Sequence, residues 1–364
     1  MENLVTTQSF WRNKKVFVTG HTGFKGSWLL VWLNQLGAIV KGYSLEPQTN
    51  PSLFLEANLI NTCEHEIGDI RNLKILKHSI KTFSPDIIFH LAAQPLVRYS
   101  YSHPIETFET NIMGTANLLE ALRDIDSVRS VVAVTTDKCY HNNEWHWGYR
   151  EDDKLGGYDP YSASKAGSEI IISSMRNSFF RKASNQKVYL ASARAGNVIG
   201  GGDWASDRLI PDLMRSFASK KTAQIRNPNS IRPWQHVLES LNGYLLLAEK
   251  LYKNGETFDD AWNFGPFDND AQSVEYIVKR LVTIWGDSAK WLTTPGEHLH
   301  EATYLKLDSS KSRARLSWFP NWNLDTALVH TAKWYKDYYN KEDTAFNLCI
   351  KNIELFNKKE DRIC

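Results

Sequence analysis

Three short runs of this 364-residue chain carry residue types whose spacing can do chemistry. The first is Thr19-Gly20-His21-Thr22-Gly23-Phe24-Lys25-Gly26, a GxxGxxG that follows an apolar run and opens a helical pattern. Glycines there permit a tight turn and let backbone N–H groups approach a pyrophosphate at a helix N-terminus. Gly20, Thr22, Gly23, Phe24, Lys25 and Gly26 are therefore candidates to cradle a dinucleotide, against the plainer reading of a tight strand–helix turn. The acid that would hold the adenosine ribose about twenty residues on is missing. Ser44 or the backbone stands in its place, with Glu46 as a later candidate, and no arginine is ready for a 2′-phosphate. The choice between NAD and NADP stays open on these residues. Asp69, with Ile70 beside it, is the next expected contact, at the adenine.

The second run is Tyr161-Ser-Ala-Ser-Lys165. Positions i and i+4 share one helix face, so phenol and ammonium converge. The cation favours the phenolate and prepares the tyrosine as a general base. The third run, Thr136-Asp137-Lys138, follows the fourth major apolar strand, at the edge where open α/β sheets place their chemistry. Asp137 and Lys138 can act as an acid/base pair if burial moves their affinities inward. Thr136 can share a hydrogen bond with a substrate hydroxyl. Taken alone, the Asp-Lys pair reads sooner as a surface turn with an incidental salt bridge, and the Tyr-Lys pair also fits a solvated helix face.

These runs need elements to position them. Val16–Thr19, Ala38–Tyr43, Asp86–His90, Ser130–Thr135 and Val188–Ala193 are strand-length apolar runs, while Phe24–Leu36, Asn111–Arg123 and Tyr161–Ser174 repeat at helical spacing. Gly37 is placed to end the first helix, and Pro160 suits the first turn of the last. Alternating strand and helix with continuous apolar strands predicts an α/β fold, a Rossmann-like doubly wound parallel sheet. Beyond about Arg194 the pattern turns irregular, which suits a smaller C-terminal lobe. The expected division is 1–195 for the nucleotide-binding unit, with return segments near 230–265, and 196–364 for the lobe. The polar stretch after Lys341 reads as helix or frayed end.

Composition bounds the partners. Lys plus Arg number 43 against 41 Asp plus Glu, a net charge of +2 without basic runs, which argues against nucleic acid. No window approaches the ~18 apolar residues of a membrane span. The N-terminus lacks the apolar core of a signal peptide. Cys63, Cys139, Cys349 and Cys364 are scattered without metal or disulfide spacing, so no metal and a cytoplasmic setting are expected. At 13 Trp and 15 Tyr, some aromatic rings are expected to line a cleft.

GHTGFKG, HLAAQPLVR (90–98), TNIMGT (110–115), TTDKCY (135–140), YSASK (161–165) and RAGNVIGGGDW (194–204) together resemble the extended short-chain dehydrogenase/reductases that act on nucleotide sugars. Within that superfamily the chain is most similar to the CDP-glucose 4,6-dehydratases, with IRPWQHV (231–237) and HEATYLKLDSSKSRARLSWFP (300–320) extending the likeness through the C-terminal half. The resemblance implies NAD, reduced and reoxidised within one turnover, with Leu91, Ala92, Ala93 and Thr110 as further cofactor contacts. Tyr161, aided by Lys165 and Thr136, would take the C4 hydroxyl proton of the glucose. Asp137 would protonate the departing C6 hydroxyl, and Lys138 would assist removal of the C5 hydrogen. Lys138 stands where related dehydratases place glutamate. Asn197 after the sixth strand, Arg208 and Leu209 at a helix start, Arg232, and more weakly Arg98 and Tyr304 are implied substrate contacts. His300 and Glu301 occupy positions where some relatives carry basic phosphate ligands. A homodimer or homotetramer and a role in lipopolysaccharide O-antigen deoxysugar supply are also implied. Two other readings stay open: a nucleotide-sugar 4-epimerase or reductase, and an NAD(P)-sensing regulator of the same fold without turnover.

Overall fold

A computed structural model describes residues 8–181, 188–286, 289–294 and 302–358. The strands are β1 Lys15–Thr19, β2 Ile39–Ser44, β3 Glu64–Ile67, β4 Ile87–His90, β5 Ser130–Val134, β6 Tyr189–Ala195, β7 Asn197–Ile199, β8 Thr222–Ile225, β9 Ile231–His236, β10 Ala261–Phe264, β11 Ala271–Ser273 and β12 Lys290–Thr293. The longer helices are α1 Phe24–Gln35, α2 Leu73–Phe83, α3 Gly114–Ala121, α4 Pro160–Met175, α5 Leu209–Ala218, α6 Val237–Asn254, α7 Val274–Trp285, α8 Leu324–Tyr339 and α9 Ala345–Asn357.

The seven-stranded sheet runs β10-β6-β5-β4-β1-β2-β3, parallel throughout. Successive strand residues face opposite sides, and each side meets its own layer of helices. In β1, Val16 and Val18 enter the cluster under α1 and α6, while Phe17 enters the one under α2, α3 and α4. Ile87 and Phe89 against Ile88 repeat this in β4. Burial on both faces explains why these strands read as unbroken apolar runs. The helix boundaries follow local chemistry. Asp159 caps α4 by accepting from the Ser162 N–H at 2.9 Å, with Pro160 in the first turn. Gly37, at φ 78°, closes α1 in a left-handed conformation that a side chain would strain.

Two strands of this sheet escaped the periodicity reading. β3, Glu-His-Glu-Ile, is a half-exposed edge strand, so it carries no apolar run. Its presence makes the strand before Thr136 the fifth in the chain rather than the fourth. β10 is four residues long and comes back from beyond the lobe to pair with β6, Ala261 opposite Ser192. The helix expected at 111–123 begins instead as a π-helical turn over Glu109–Met113 and continues as α3. After Lys341, α9 occupies the segment left as helix or frayed end, and residues 359–364 lie outside the described part.

The remaining strands form a three-stranded sheet, β11-β9-β7, and a two-stranded one, β12-β8. Most tryptophans are core: Trp11, Trp28, Trp32, Trp262, Trp318 and Trp334 are fully buried, and Trp204, Trp234 and Trp322 nearly so. Trp204 and Trp234 do line the large cavity described below. Cys63, Cys139 and Cys349 are free thiols, and Cys364 lies outside the described residues. Among the described residues no helix is long and apolar enough to cross a membrane, and no group of three or more His, Cys, Asp or Glu could hold a metal.

Candidate active site

A cavity of about 690 Å³ opens at the carboxyl ends of β1, β4, β5 and β6. One wall is the glycine turn between β1 and α1. Gly20 sits at φ 76°, and a Cβ there would lie 2.6 Å from the Ala92 nitrogen. A Cβ on Gly26 would overlap the Gly20 carbonyl oxygen. The turn is therefore shaped by the lack of side chains. Gly23, the residue before α1, leaves the helix start without a side-chain cap, so its first N–H groups suit an anion. These residues fit the diphosphate of a dinucleotide.

Beside the turn, Thr22 and Ser44 share a hydrogen bond of 2.7 Å, and Thr22 also donates to the Leu45 carbonyl at 2.9 Å. Leu91, Ala92, Ala93, Thr110, Glu46, Asp69 and Ile70 line the same side. Asp69 is held by Arg71 (Nη2 to Oδ2 2.6 Å, backbone N–H to Oδ1 2.8 Å). Burial opposes ionisation of Asp69, but these bonds outweigh it and keep the carboxyl below its ordinary range. Arg71 had no motif to mark it, since its partner depends on the turn after β3.

A buried chain of neutral groups stands behind this wall. His90 joins Thr19 (2.7 Å) to Thr115 (3.1 Å). Burial, then the charge of Lys165, lowers the His90 ring to about 3, so it stays neutral. Asn111 accepts from the Gln94 N–H at 2.8 Å and donates to Ser164 at 2.8 Å.

The floor follows β5. Thr136 caps a single 3-10 turn over Asp137–Cys139 and donates to Asp137 Oδ1 at 2.9 Å. Asp137 is 1% exposed, and its Oδ2 has no hydrogen-bond partner among the described residues. Burial raises this carboxyl above its ordinary value, against the pull of Lys138, Thr136, Arg232 and Lys25. Lys138 lines the cavity next to it.

Tyr161 projects from the first turn of α4 and is 8% exposed. Burial pushes its phenol up to about 12, opposed by a hydrogen bond with Thr136 and by the charge of Arg208. The expected helper, Lys165, shares the helix face, and its Nζ donates to the Val134 carbonyl at 3.4 Å. A carbonyl, together with the Glu169 carboxylate one turn on, is a better partner for an ammonium than a neutral phenol. Burial lowers Lys165 to about 8, with Glu169 and Cys139 opposing. Glu169 itself is fully engaged, accepting from Ser192 at 2.7 Å, from Arg194 at 2.8 Å and from Thr135. It extends the Tyr-x-x-x-Lys spacing by four residues, a signal that helical periodicity alone makes visible.

The opposite wall carries the arginines. Arg98 and Arg226 both reach Asp207, at 3.1 and 2.8 Å. Arg208, preceding α5, pairs with Asp203 at 3.0 Å, and Leu209 begins that helix. Arg232 on β9 donates to the carbonyls of Ile231 (2.9 Å), Thr303 (3.3 Å) and Ala302. Asn197 lies at the start of β7, separated from β6 by Gly196 alone, rather than in a loop. Arg98, Asn197, Arg208, Leu209 and Arg232 all line the cavity. Tyr304 does not: its ring meets His146 edge-on at 5.4 Å, and its carbonyl accepts from Asn142. A parallel bridge to Ile231 holds that segment beside the start of β9. His300 and Glu301 lie outside the described residues.

Comparison with known proteins places this geometry. The sequence profile of the GDP-mannose 4,6 dehydratase family matches residues 17–331. The chain is 56% identical to the CDP-glucose 4,6-dehydratase of Salmonella typhimurium over 338 residues, 92% of this chain and 94% of the relative. In structure it resembles the UDP-glucose 4-epimerase of Thermotoga maritima, solved with UDP-glucose (TM-score 0.77, 19% identity, 89% of this chain and 99% of that one). It also resembles the dTDP-glucose 4,6-dehydratase of Bacillus anthracis, solved with NAD (TM-score 0.73, 21% identity, 90% and 98%). Those two likenesses establish the shared fold. The sequence match is long and close enough to go further: the chain belongs to the GDP-mannose 4,6 dehydratase family, on the branch of the CDP-glucose 4,6-dehydratases.

Proposed function

We propose that this protein is an NAD-dependent lyase that converts CDP-glucose to CDP-4-dehydro-6-deoxyglucose and water. The observation that carries the reading is Asp137, a buried carboxyl with one oxygen unpartnered, set beside Lys138 and near the Tyr161 phenol. A 4-epimerase uses a tyrosine base and has no need of a protonated acid. An elimination does, because a C6 hydroxyl leaves only as water.

NAD bound at the glycine turn supplies a hydride acceptor for C4 and, later, a hydride donor for C6. The chain's own residues do the proton work. Tyr161 receives the C4 hydroxyl proton, with Thr136 holding the oxygen and Arg208 favouring the phenolate. The ketone at C4 then acidifies the C5 hydrogen. Lys138 assists its removal and steadies the enolate by its charge. Asp137, whose hold on a proton burial strengthens, delivers that proton as the C6–O bond breaks. Arg98, Arg208 and Arg232 offer guanidinium forks to the sugar diphosphate.

Residues 1–195 would bind NAD, together with α6 and β10, and the rest of 196–364 would bind the nucleotide sugar. Exposed Ile105, Met113 and Ile170 near α3 and α4 suit self-association as a homodimer or homotetramer. The setting would be the cytoplasm, supplying 6-deoxy sugars for lipopolysaccharide O-antigen.

The test is incubation of purified protein with CDP-glucose, with and without added NAD. A product lighter by one water and absorbing in alkali as a 4-keto sugar is expected. Epimerised CDP-glucose of unchanged mass would sink the dehydratase reading.

A further inference from the structure

Tyr161, Lys165 and Glu169 stand at i, i+4 and i+8 of α4, so all three share one face. The proton work proposed above draws on Tyr161 and leaves Glu169 without a part. Glu169 is 3% exposed and lies outside the lining of the cavity. Its two oxygens serve different strands. Oε1 accepts from the Thr135 hydroxyl, one residue past the end of β5. Oε2 accepts from Ser192 at 2.7 Å and from Arg194 at 2.8 Å, both on β6. Burial opposes the negative charge, but the Arg194 guanidinium and these bonds outweigh it, and Glu169 stays a carboxylate. A buried ion pair often gives no more stability than apolar side chains of the same volume. Its use then lies in the geometry it imposes.

The strand end that Glu169 grips is the one that bears the chemistry. Val134, just before Thr135, takes the Lys165 ammonium on its carbonyl. The Thr135 N–H donates to the Ala193 carbonyl at 2.9 Å, and the chain then leaves the sheet for a single 3-10 turn. Thr136, just after, donates to Asp137 Oδ1 at 2.9 Å and shares a hydrogen bond with Tyr161. Tyr161 rides on α4 and Asp137 on the turn. The Thr135–Glu169 bond joins those two elements within two residues of Asp137.

We propose that Glu169, acting through Thr135, is a positioning residue for the dehydration: it sets α4 against the end of β5, and with it the placement of Tyr161 relative to Thr136 and Asp137. This rests on the dehydratase reading. Glu169 touches no reacting atom and exchanges no proton. Oε2 fixes the carboxylate on β6, and Oε1 passes that fixed point to Thr135.

The two oxygens supply the test. T135V and S192A each remove one hydroxyl bonded to Glu169 while leaving Arg194 in place, so both should melt at a lower temperature. T135V alone loosens the strand end. Its kcat for CDP-glucose dehydration should fall about 10- to 100-fold, the cost of a misplaced reacting geometry, with KM and NAD affinity unchanged. S192A should keep its kcat, and T135S, which restores a hydroxyl, should recover it. In an E169Q background T135V should cost nothing further, as coupled partners require. An unaltered kcat in T135V, an equal fall in S192A, or a loss that T135S does not restore would overturn the proposal. T135A takes the place of T135V if the valine variant does not fold. A wild type that epimerises CDP-glucose would sink the dehydratase reading, and the same comparison of kcat then decides the positioning role, since epimerisation also draws on Tyr161. With no turnover of either kind, crystal structures of the variants decide: the Thr136–Asp137 bond should be kept in S192A and lost in T135V.

Discussion

The wall that carries the glycine turn is tied together by neutral hydrogen bonds, whereas the wall opposite is laced with ion pairs. On the first, Thr19–His90–Thr115, Gln94–Asn111–Ser164 and Thr22–Ser44 are linked at 2.7 to 3.1 Å, and most of these side chains are buried. On the second, Arg98 and Arg226 share Asp207, and Arg208 holds Asp203, all at least partly exposed except Asp203. A buried neutral network is costly to leave half-made and holds one geometry. Exposed ion pairs are worth little, on the order of 0–1 kcal/mol each. One wall is therefore held in a single geometry, and on the other Arg98, Arg208 and Arg226 rest on carboxylates from which, on the proposed function, a sugar diphosphate would draw them. A cofactor that stays through turnover suits the first, and a substrate that must come and go suits the second.

The contrast is broken most severely at the floor where the two walls meet. Asp137→Asn should lower CDP-glucose dehydration about 10²- to 10⁴-fold, since a positioned general acid is lost. NAD binding, measured by titration calorimetry, should be unchanged. Next comes the rigid wall: Gly26→Ala places a methyl on the Gly20 carbonyl, and a wall without slack should lose tenfold or more in NAD affinity, roughly. If the variant binds normally, the first wall is as pliant as the second.

Asp207→Asn addresses the other side. It removes a competitor for Arg98 and Arg226, so KM for the nucleotide sugar should fall about twofold at low ionic strength, with the difference shrinking as salt is added. A rise in KM would mean that Asp207 aims the arginines rather than parking them.

The smallest effect is a pH signature of the neutral wall. His90 has an ordinary value of 6.5 and falls to about 3 in the fold. Between those values the unfolded chain takes up a proton that the folded chain refuses. His90 thus contributes stability that is full above pH 6.5 and is lost as pH falls toward 3. His90→Asn should melt lower at pH 7 yet lose less on acidification, as scanning calorimetry would show. An equal acid slope in both proteins would remove His90 from the account.

The same contrast explains what was legible in the residues alone. The glycine turn, the Tyr161–Lys165 spacing and the apolar strands are local patterns, and local patterns survive without a third dimension. Lys25 was visible as part of the turn, but its reach to Tyr244 on α6 was not. Asp203, Asp207 and Arg226 escaped notice because a carboxylate acquires its meaning only from the arginine it faces. Arg208, expected only as a substrate contact, also acts on the Tyr161 phenol from the start of α5, a placement that helix spacing along α4 does not encode. β3 and β10 were missed for opposite reasons, one too polar and the other too short.

The return of β10 to the edge of β6 has a consequence in time. A chain emerging N-terminus first can close β1 through β6 as each crossover is completed, but the backbone edge of β6 stays open until Phe264 is made. Arg208, Arg232 and Tyr244 all belong to the stretch synthesised during that wait. Long-range closure of this kind slows folding and leaves an unpaired strand exposed to other chains. That strand, the last of the seven-stranded sheet, thus follows the arginines of the cavity, so a nascent or truncated chain would have the nucleotide cradle, Asp137 and Tyr161 before it has Arg208 and Arg232.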